Sequence, residues 1–412
     1  MVAGTGVAQA IPIVFAPILT RLYTPEDFGI AALYLSLASI LGIVATLRYE
    51  AAILQAKDDL SAYKLVKLCV LIAIIMALML LAIFLLWSDL ISMWLGINGI
   101  GKILYLLPIS MVLTAVFQAY NYWAIRNSVY ASIAIANTVQ STVTPSIQTL
   151  ISGLTKVLGL GLVVGNVAGQ AMASFFLYIK NRGLRLSTVD GYAMNCSYSS
   201  IAKQYKQMPL FGLPGALLDT TALQFPILFM TKIFESSVVG YFSLVFRVLS
   251  IPARLISGVL SKLLLKEVSN IANSTTVSEA SLPLILKSSF YLTISIFPLV
   301  IVMQVWGEKL FGFVFGYDWK TAGSMASILV YAVAIRFIVS PLSSVLAMKQ
   351  HMLKGFCWQL LYFITLASTL IWASSKPFED FLFFFVVHEL ILYSTYLALI
   401  LFACYQIDRR IV

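Results

Sequence analysis

The chain has 412 residues, of which 60% are hydrophobic and only 11% charged, with a mean hydropathy of +0.94. A soluble chain would carry about twice that share of charge. The apolar residues also come in unalternating runs long enough to cross a ~30 Å hydrocarbon layer as helices, which excludes barrel strands too. The net charge of +10 then belongs to loops that set orientation, not to a nucleic-acid surface, and the expected fold class is an all-α polytopic membrane protein.

Twelve spans are predicted, at roughly 3–20, 29–47, 65–87, 103–125, 131–153, 157–179, 209–231, 236–260, 284–305, 323–348, 356–375 and 381–405. The first has no basic region ahead of it and a charged hairpin directly after it, so it reads as a span and not as a cleaved signal peptide. With both termini cytoplasmic, the inner segments hold seventeen Lys and Arg: Arg48, Lys57, Lys64, Lys67, Arg126, Lys180, Arg182, Arg185, Lys203, Lys206, Lys262, Lys266, Lys287, Lys349, Lys354, Arg409 and Arg410. The outer loops hold seven: Arg21, Lys102, Lys156, Lys232, Lys309, Lys320 and Lys376. That asymmetry follows the positive-inside rule. The longest loop, 180–208, is basic and inside, and none is large enough for a catalytic domain, so any chemistry is expected between helices.

The hairpin after the first span, TRLYTPEDFG (20–29), is echoed by TKIFESSVVG (231–240) after the seventh. Both begin Thr, base, aliphatic, aromatic, and both end in Gly with a Leu four places on, Leu33 and Leu244. Six spans separate them, so the halves would be parallel repeats, a transporter architecture with a cavity at the interface between them. The domains expected are 1–180, a linker at 181–208, and 209–412. In the first copy Thr24 suits an N-cap, Pro25 the first helical position, and Glu26 and Asp27 a helix N-terminus, while Gly29 allows close packing. This is read as a structural turn.

Ionisable groups inside spans are costly and face protein or water. Span 2 ends in LRYEAAI, where Arg48 and Glu50 fall near the cytoplasmic interface, as an ion pair at a helix end or as part of a gate. Span 4 ends in Gln118, Asn121 and Tyr122, suited to sugar hydroxyls or to an interface. In span 5, Asn137, Ser141, Thr144, Gln148 and Ser152 form a one-sided stripe, a wet wall or a set of interhelical hydrogen bonds. Asp219 in span 7 and Glu389, beside His388 in span 12, read as buried acids: ion-coupling sites, or salt-bridge partners of an arginine. In span 8, Ser243, Arg247, Ser250, Arg254, Ser257 and Ser261 share one face. Arg247 lies about 10 Å and Arg254 about 21 Å in from Gly240, and Pro252 between them predicts a kink. Such a stripe suits a cavity wall; the alternative is an arginine snorkelling to the headgroups. Span 10 adds Arg336, followed by Ser340, Ser343 and Ser344.

The four cysteines, Cys69, Cys196, Cys357 and Cys404, are scattered, with no Cys-x-x-Cys and no nearby histidine pair, so no metal site, disulfide framework or cofactor is expected. There is no Gly-rich phosphate loop, HExxH or nucleophile elbow, so an enzyme is not expected.

Three stretches, RLYTPEDFG, LRYEAAIL with the following KDD, and VGYFSLVFRVLSIP (239–252), resemble Wzx-type O-antigen flippases of the multidrug/oligosaccharidyl-lipid/polysaccharide exporter (MOP) superfamily. Members carry a short lead before span 1, where this chain begins almost directly at GTGVAQAIP. The resemblance implies a V-shaped pair of six-helix bundles in the bacterial cytoplasmic membrane. It would move undecaprenyl-diphosphate-linked oligosaccharide from the inner to the outer leaflet by alternating access. Arg247, Arg254 and Arg336 would hold the diphosphate or anionic sugars, since Arg pairs with phosphate oxygens through two donors. Arg48 and Glu50 would stand at the cytoplasmic mouth, Gln148 on the glycan side, and Asp219 and Glu389 at coupling sites. Expected partners are the lipid-linked oligosaccharide, membrane lipids, and a polymerase with its chain-length regulator; no nucleic acid is expected. The competing readings are a cation-coupled multidrug exporter of the same superfamily and an O-antigen polymerase or ligase, which normally needs a large outer loop.

Overall fold

In the computed structural model, residues 2–95, 101–154, 157–182, 198–273, 280–347 and 352–411 are described. Lys156, Arg185, Cys196 and Lys349 lie outside them, as do the side chains of Lys102, Arg182, Pro252, Arg254, Lys262 and Arg410.

The helices in chain order are α1 (Val2–Leu22), α2 (Pro25–Val44), α3 (Tyr49–Ala52), α4 (Asp59–Leu95), α5 (Gly101–Leu104), α6 (Leu107–Arg126), α7 (Tyr130–Ile151), α8 (Leu160–Arg182) and α9 (Tyr198–Gln204). A π-turn, Met208–Gly212, leads into α10 (Leu213–Ile233). Then come α11 (Ser236–Leu249), α12 (Ile251–Asn273), α13 (Ser281–Phe315), α14 (Lys320–Leu342), α15 (Met352–Ala373) and α16 (Phe378–Ile411). The described residues contain no strand.

Each of the twelve expected spans falls largely on one of these helices, except the eighth, which is divided between α11 and α12. The break at Ser250 precedes Pro252 in the first turn of α12, as expected of a residue that lacks the N–H and crowds the preceding turn. Helix α4 is interrupted at Trp87 (φ −132°, ψ 24°), where the third span was expected to end. Among the described residues, eight helices are long and apolar enough to cross a membrane. The chain is an all-α, multi-pass membrane protein. It folds as two compact units, Met1–Gly240 and Tyr241–Val412.

In the first unit the TRLYTPEDFG hairpin is a clamp. Thr24 Oγ1 accepts from the Asp27 backbone N–H, and Asp27 Oδ2 accepts from the Thr24 N–H at 2.9 Å, a capping box at the head of α2. The other carboxylate oxygen of Asp27 accepts from the backbone N–H of Gly159 at 2.6 Å, which ties down the turn before α8. Gly159 has φ +70°, a left-handed conformation that glycine adopts without cost. Tyr23 donates to the backbone carbonyl of Gln148 at 2.6 Å. Burial, helped by the Asp27 carboxylate, pushes the Tyr23 phenol up to about 12.

Helix α8 presents Gly161, Gly165 and Gly169 in a small-xxx-small row. Tyr23 lies over the first, Gln148 over the second and Thr144 over the third. A Cβ at Gly165 would also lie 2.9 Å from the Thr144 carbonyl, so α7 and α8 pack backbone to backbone, the arrangement by which spans associate in lipid.

A second close approach joins the two hairpin copies. A Cβ on Gly29 would strike the carbonyl of Ser236, and one on Gly240 the carbonyl of Pro25. Each obstructing carbonyl lies one helical turn before the opposite glycine, so the contact is reciprocal. It uses the terminal glycine of each repeat copy. Further along, Ser36 donates to Gln224 Oε1 at 2.9 Å between α2 and α10.

At the other end of α2, the chain turns through Leu47 (φ 48°) and Arg48 (φ 65°), both left-handed, before the single turn of α3. Arg126 of α6 fixes the stretch that follows. Its Nη1 donates to the carbonyls of Ile53 (3.0 Å) and Ala56 (2.8 Å), and its Nε to Asp59 (2.9 Å). Asp58 caps α4 by accepting from Ser61 N–H at 2.7 Å, and that bond holds its carboxyl below the ordinary value. Ile201 of α9 is buried in the same core as Tyr49, Ile53, Leu65 and Trp123.

In the second unit α13 and α14 cross at Gly307 and Gly323, where a Cβ on Gly323 would meet the Gly307 carbonyl and Glu308 Cα. The N-terminus of α13 is capped from a distance of over a hundred residues in sequence. Asp408 of α16 accepts from Ser281 N (2.7 Å), Ser281 Oγ (2.6 Å) and Leu282 N (2.9 Å). A carboxylate there satisfies orphan N–H groups and the helix dipole together.

Two outcomes follow from this packing. Gly240→Leu should lower the melting temperature in detergent by several degrees, whereas Gly215→Leu, where a Cβ meets open space, should leave it nearly unchanged. Asp408→Ala should cost about 1–2 kcal/mol of stability, the usual range for losing a helix cap, with Asp408→Asn intermediate; thermal melts of the purified chain check both.

Candidate functional site

The second unit holds a buried charged cluster built by α14, α15 and α16. Glu389 is fully buried. Its Oε2 accepts from Arg336 Nε at 2.5 Å and its Oε1 from the Tyr362 hydroxyl at 2.7 Å. Arg336 Nη2 donates to the same Tyr362 oxygen at 2.6 Å, closing a three-membered ring of bonds. The guanidinium stands 5.7 Å from the Phe246 ring centroid and 5.5 Å from that of Tyr393, within cation–π range. About 16 residues separate Arg336 from the start of α14 and about 11 separate Glu389 from the start of α16, so both lie well inside their spans, roughly 24 and 16 Å along.

Sequence spacing identifies Arg336 and Glu389 separately; the fold makes them partners. Taking both ions out of water carries a desolvation cost that only good geometry offsets, and here the remaining lone pair is met by Tyr362. Arg336 keeps 17% of its side chain exposed, whereas Glu389 has none. Trp358 stacks on Tyr396 (3.7 Å between centroids) and on Tyr362 (5.3 Å), which stiffens the wall behind the cluster. Tyr362, Trp358, Tyr393 and Tyr396 were not identified from the sequence. Trp358 and Tyr362 are one turn apart on α15, and Glu389, Tyr393 and Tyr396 follow a three-to-four spacing on α16, a pattern of mixed polar and aromatic residues that could have marked the face.

The first unit has its own pair where α2 ends. Arg48 Nη1 lies 3.3 Å from Glu50 Oε1, and Glu50 is 2% exposed. The Thr46 hydroxyl donates to the other carboxylate oxygen. The expected ion pair is formed, but at a left-handed turn and not at a simple helix end. Arg48 Nε is buried without a hydrogen-bond partner, and a Cβ added to Gly212 would lie 3.9 Å from the Arg48 Cβ.

The other sequence candidates divide. Arg247 lies on the exposed side of α11, next to Phe246, while Phe242, Val245 and Leu249 are buried. The side chain of Arg254 lies outside the described residues. Gln148, expected on the glycan side, is buried, and its amide donates to the Leu162 carbonyl at 2.8 Å. That bond ties α7 to α8 through one of the two amide N–H groups. Gln140 of α7 and Gln170 of α8 pair at 2.6 Å, a second interhelical tie. Asp219, expected to be buried, lies on the exposed side of α10, because that helix buries only Ala222, Pro226, Met230 and Thr231.

Breaking the cluster on one side should be costly, because it leaves a buried charge. Glu389→Gln is expected to destabilise the chain by about 3–5 kcal/mol, and the double change Arg336→Met with Glu389→Leu to recover most of that loss. A double-mutant cycle on thermal melts measures the coupling.

Solved structures show the same fold. The inward-facing conformation of a multidrug resistance MATE family transporter of the MOP superfamily superposes with a TM-score of 0.68 at 10% identity, covering 99% of this chain and 96% of that one. Lipid II flippase MurJ, in its inward closed conformation, gives 0.71 at 14% identity over 96% of this chain and 86% of that one. The outward-facing conformation of a multidrug resistance MATE transporter gives 0.66 at 11%, covering 99% and 94%. At these identities the likeness is one of fold. No curated protein matches the chain by sequence. The family model described as polysaccharide biosynthesis protein matches residues 18–324. Three-quarters of the sequence thus lies within one family model, on a fold shared with MOP-superfamily transporters, and the chain belongs to the polysaccharide biosynthesis protein family.

Proposed function

We propose that this chain is a flippase, and not an enzyme, that moves undecaprenyl-diphosphate-linked oligosaccharide from the cytoplasmic to the outer leaflet of a bacterial cytoplasmic membrane. The observation that carries this reading is Arg336: an arginine deep in a span, held in place by a fully buried carboxylate, with 17% of its side chain exposed. Charge is rarely retained at that depth without a use, and an anionic diphosphate is a guest that requires it. The family's link to polysaccharide biosynthesis and the fold shared with a lipid II flippase support a lipid-linked saccharide as that guest. On this reading Arg247 and Arg254 extend the cationic surface, and Arg48 with Glu50 stands at the cytoplasmic mouth. Asp219 and Glu389 are the candidate coupling acids. The repeats 1–180 and 209–412, joined by 181–208, alternate access with both termini cytoplasmic, and a polymerase and chain-length regulator receive the product.

A multidrug exporter is the competing reading. It is favoured by the fold shared with multidrug MATE transporters and by the aromatic wall of Trp358, Tyr362, Tyr393 and Tyr396.

Reconstituted in vesicles, the chain should expose lipid-linked oligosaccharide to a membrane-impermeant lectin or glycosidase. Arg247→Ala should slow this about tenfold or more, since a hydrogen bond to a charged group contributes about 1.5–3 kcal/mol. Full-rate translocation by Arg247→Ala at normal abundance would remove that residue from the site. Unaltered lipid accessibility together with raised drug tolerance in cells would favour the exporter.

A further inference from the structure

Three spans carry the same two residue types at the ends of an exposed face. On α4 they are Lys67 and Trp87, on α13 Lys287 and Trp306, and on α15 Lys354 and Trp372. Between each lysine and its tryptophan the sequence has no charged residue, and charge returns within four residues beyond, at Asp89, Glu308 and Lys376. The tryptophans are 50%, 50% and 57% exposed. Exposed apolar side chains fill the face between: Leu71, Ile75 and Leu78 on α4, Ile294 and Ile301 on α13, and Ile364 on α15. Twenty, nineteen and eighteen residues separate the members of the three pairs, about 30, 28 and 27 Å along each helix axis. A hydrocarbon layer is ~30 Å thick. Each face therefore has the length that acyl chains cover, with an indole at one boundary, where tryptophan settles, and an ammonium at the other.

Two of the lysines visibly lean away from the apolar stretch. Lys67 Nζ lies 5.0 Å from the ring centroid of Tyr63, one turn nearer the start of α4. Lys354 Nζ donates at 2.6 Å to Gln406 Oε1, close to the end of α16. Both arrangements carry the charge out of hydrocarbon while the methylene stem stays in it. Among the described residues none of the three lysines is in an ion pair. Acids at these helix ends are engaged elsewhere: Asp59 with Arg126, Asp58 in capping α4, and Asp408 in capping α13. Three ammonium groups thus stand at the edge of lipid-facing stripes with no protein carboxylate to neutralise them.

We propose that the lysine ends of these faces bind the phosphates of anionic glycerophospholipids, whose acyl chains lie along the exposed stripe toward the tryptophan. A zwitterionic headgroup such as phosphatidylcholine carries its own cation beside the phosphate, so lysine adds little there. Phosphatidylglycerol has no such cation, and its phosphate is left for the lysine. The tryptophan at the far boundary sets how deep each span sits and so keeps the ammonium level with the phosphates. Near an anionic surface a lysine contributes about a fivefold preference. On the orientation expected from the loop charges, the lysine ends face the cytoplasmic leaflet. The proposal concerns residues on the lipid side and does not rest on what the chain transports.

The test uses the full chain in detergent micelles, offered equal amounts of phosphatidylglycerol and phosphatidylcholine with matched acyl chains, and counts retained lipid by native mass spectrometry. The parent should retain phosphatidylglycerol about fivefold over phosphatidylcholine. The combined change Lys67→Gln, Lys287→Gln and Lys354→Gln should bring the ratio near one, each single change should remove part of it, and Lys309→Gln, at the tryptophan end of α13, should leave it intact. Equal retention of both lipids by the parent overturns the proposal, as does a preference that survives the triple change or falls equally with Lys309→Gln. Should the triple variant fail to fold, the three single variants decide in the same way. Undecaprenyl diphosphate added to the parent should leave the bound phosphatidylglycerol in place. If it displaces that lipid and binds less well to the lysine variants, these lysines serve the diphosphate lipid, and the phospholipid assignment falls while the flippase reading stands.

Discussion

Hydrocarbon offers no hydrogen bonds, so every polar group inside a span has to be satisfied by protein or by enclosed water. That constraint organises this molecule. It explains why Gln140 pairs with Gln170 and Gln148 with a carbonyl of the neighbouring helix. Serine and threonine side chains along α7 and α13 fold back on their own helices for the same reason. It also explains the ring of bonds among Arg336, Glu389 and Tyr362. A charge that could be left in water on a soluble protein needs two or three directed partners here.

Close backbone approach is the second organising feature, and it depends on the first. Apolar side chains gain little from meeting each other when lipid is equally apolar, so helices associate through contact area and small residues. Three pairs of surfaces use glycine in this way: α7 with α8, α13 with α14, and the paired copies at Gly29 and Gly240. The last joins equivalent positions of the internal repeat. A duplicated hairpin that ends in glycine can cross its own copy in a reciprocal manner, because each glycine faces the carbonyl one turn before the other.

The charged cluster is held rigidly by its neighbours. Stacked aromatics and the buried carboxylate hold Arg336 in place. The Arg48–Glu50 pair at the end of α2 differs: it sits at a left-handed turn, with the Arg48 side chain 30% exposed and the Glu50 carboxylate buried.

Much of the fold was legible because hydropathy, length and caps are local quantities. Twelve apolar runs, the Thr24–Asp27 capping box and the break before Pro252 can each be read within a few residues, and each appears as a helix, a cap or a break. The separate candidates Arg336, Glu389, Arg48 and Glu50 were legible for the same reason, since an ionisable residue in an apolar run is conspicuous. Pairings between spans were not. Which helix face meets which decides that Gln148 donates to Leu162, that Asp219 lies on an exposed side, and that Asp408 caps a helix begun 127 residues earlier. The sequence by itself determined an all-helical membrane chain with a repeated hairpin and a few costly charges. Only the tertiary structure decided which charges meet, because partners on different spans are chosen by packing in three dimensions and leave no periodic trace along the chain.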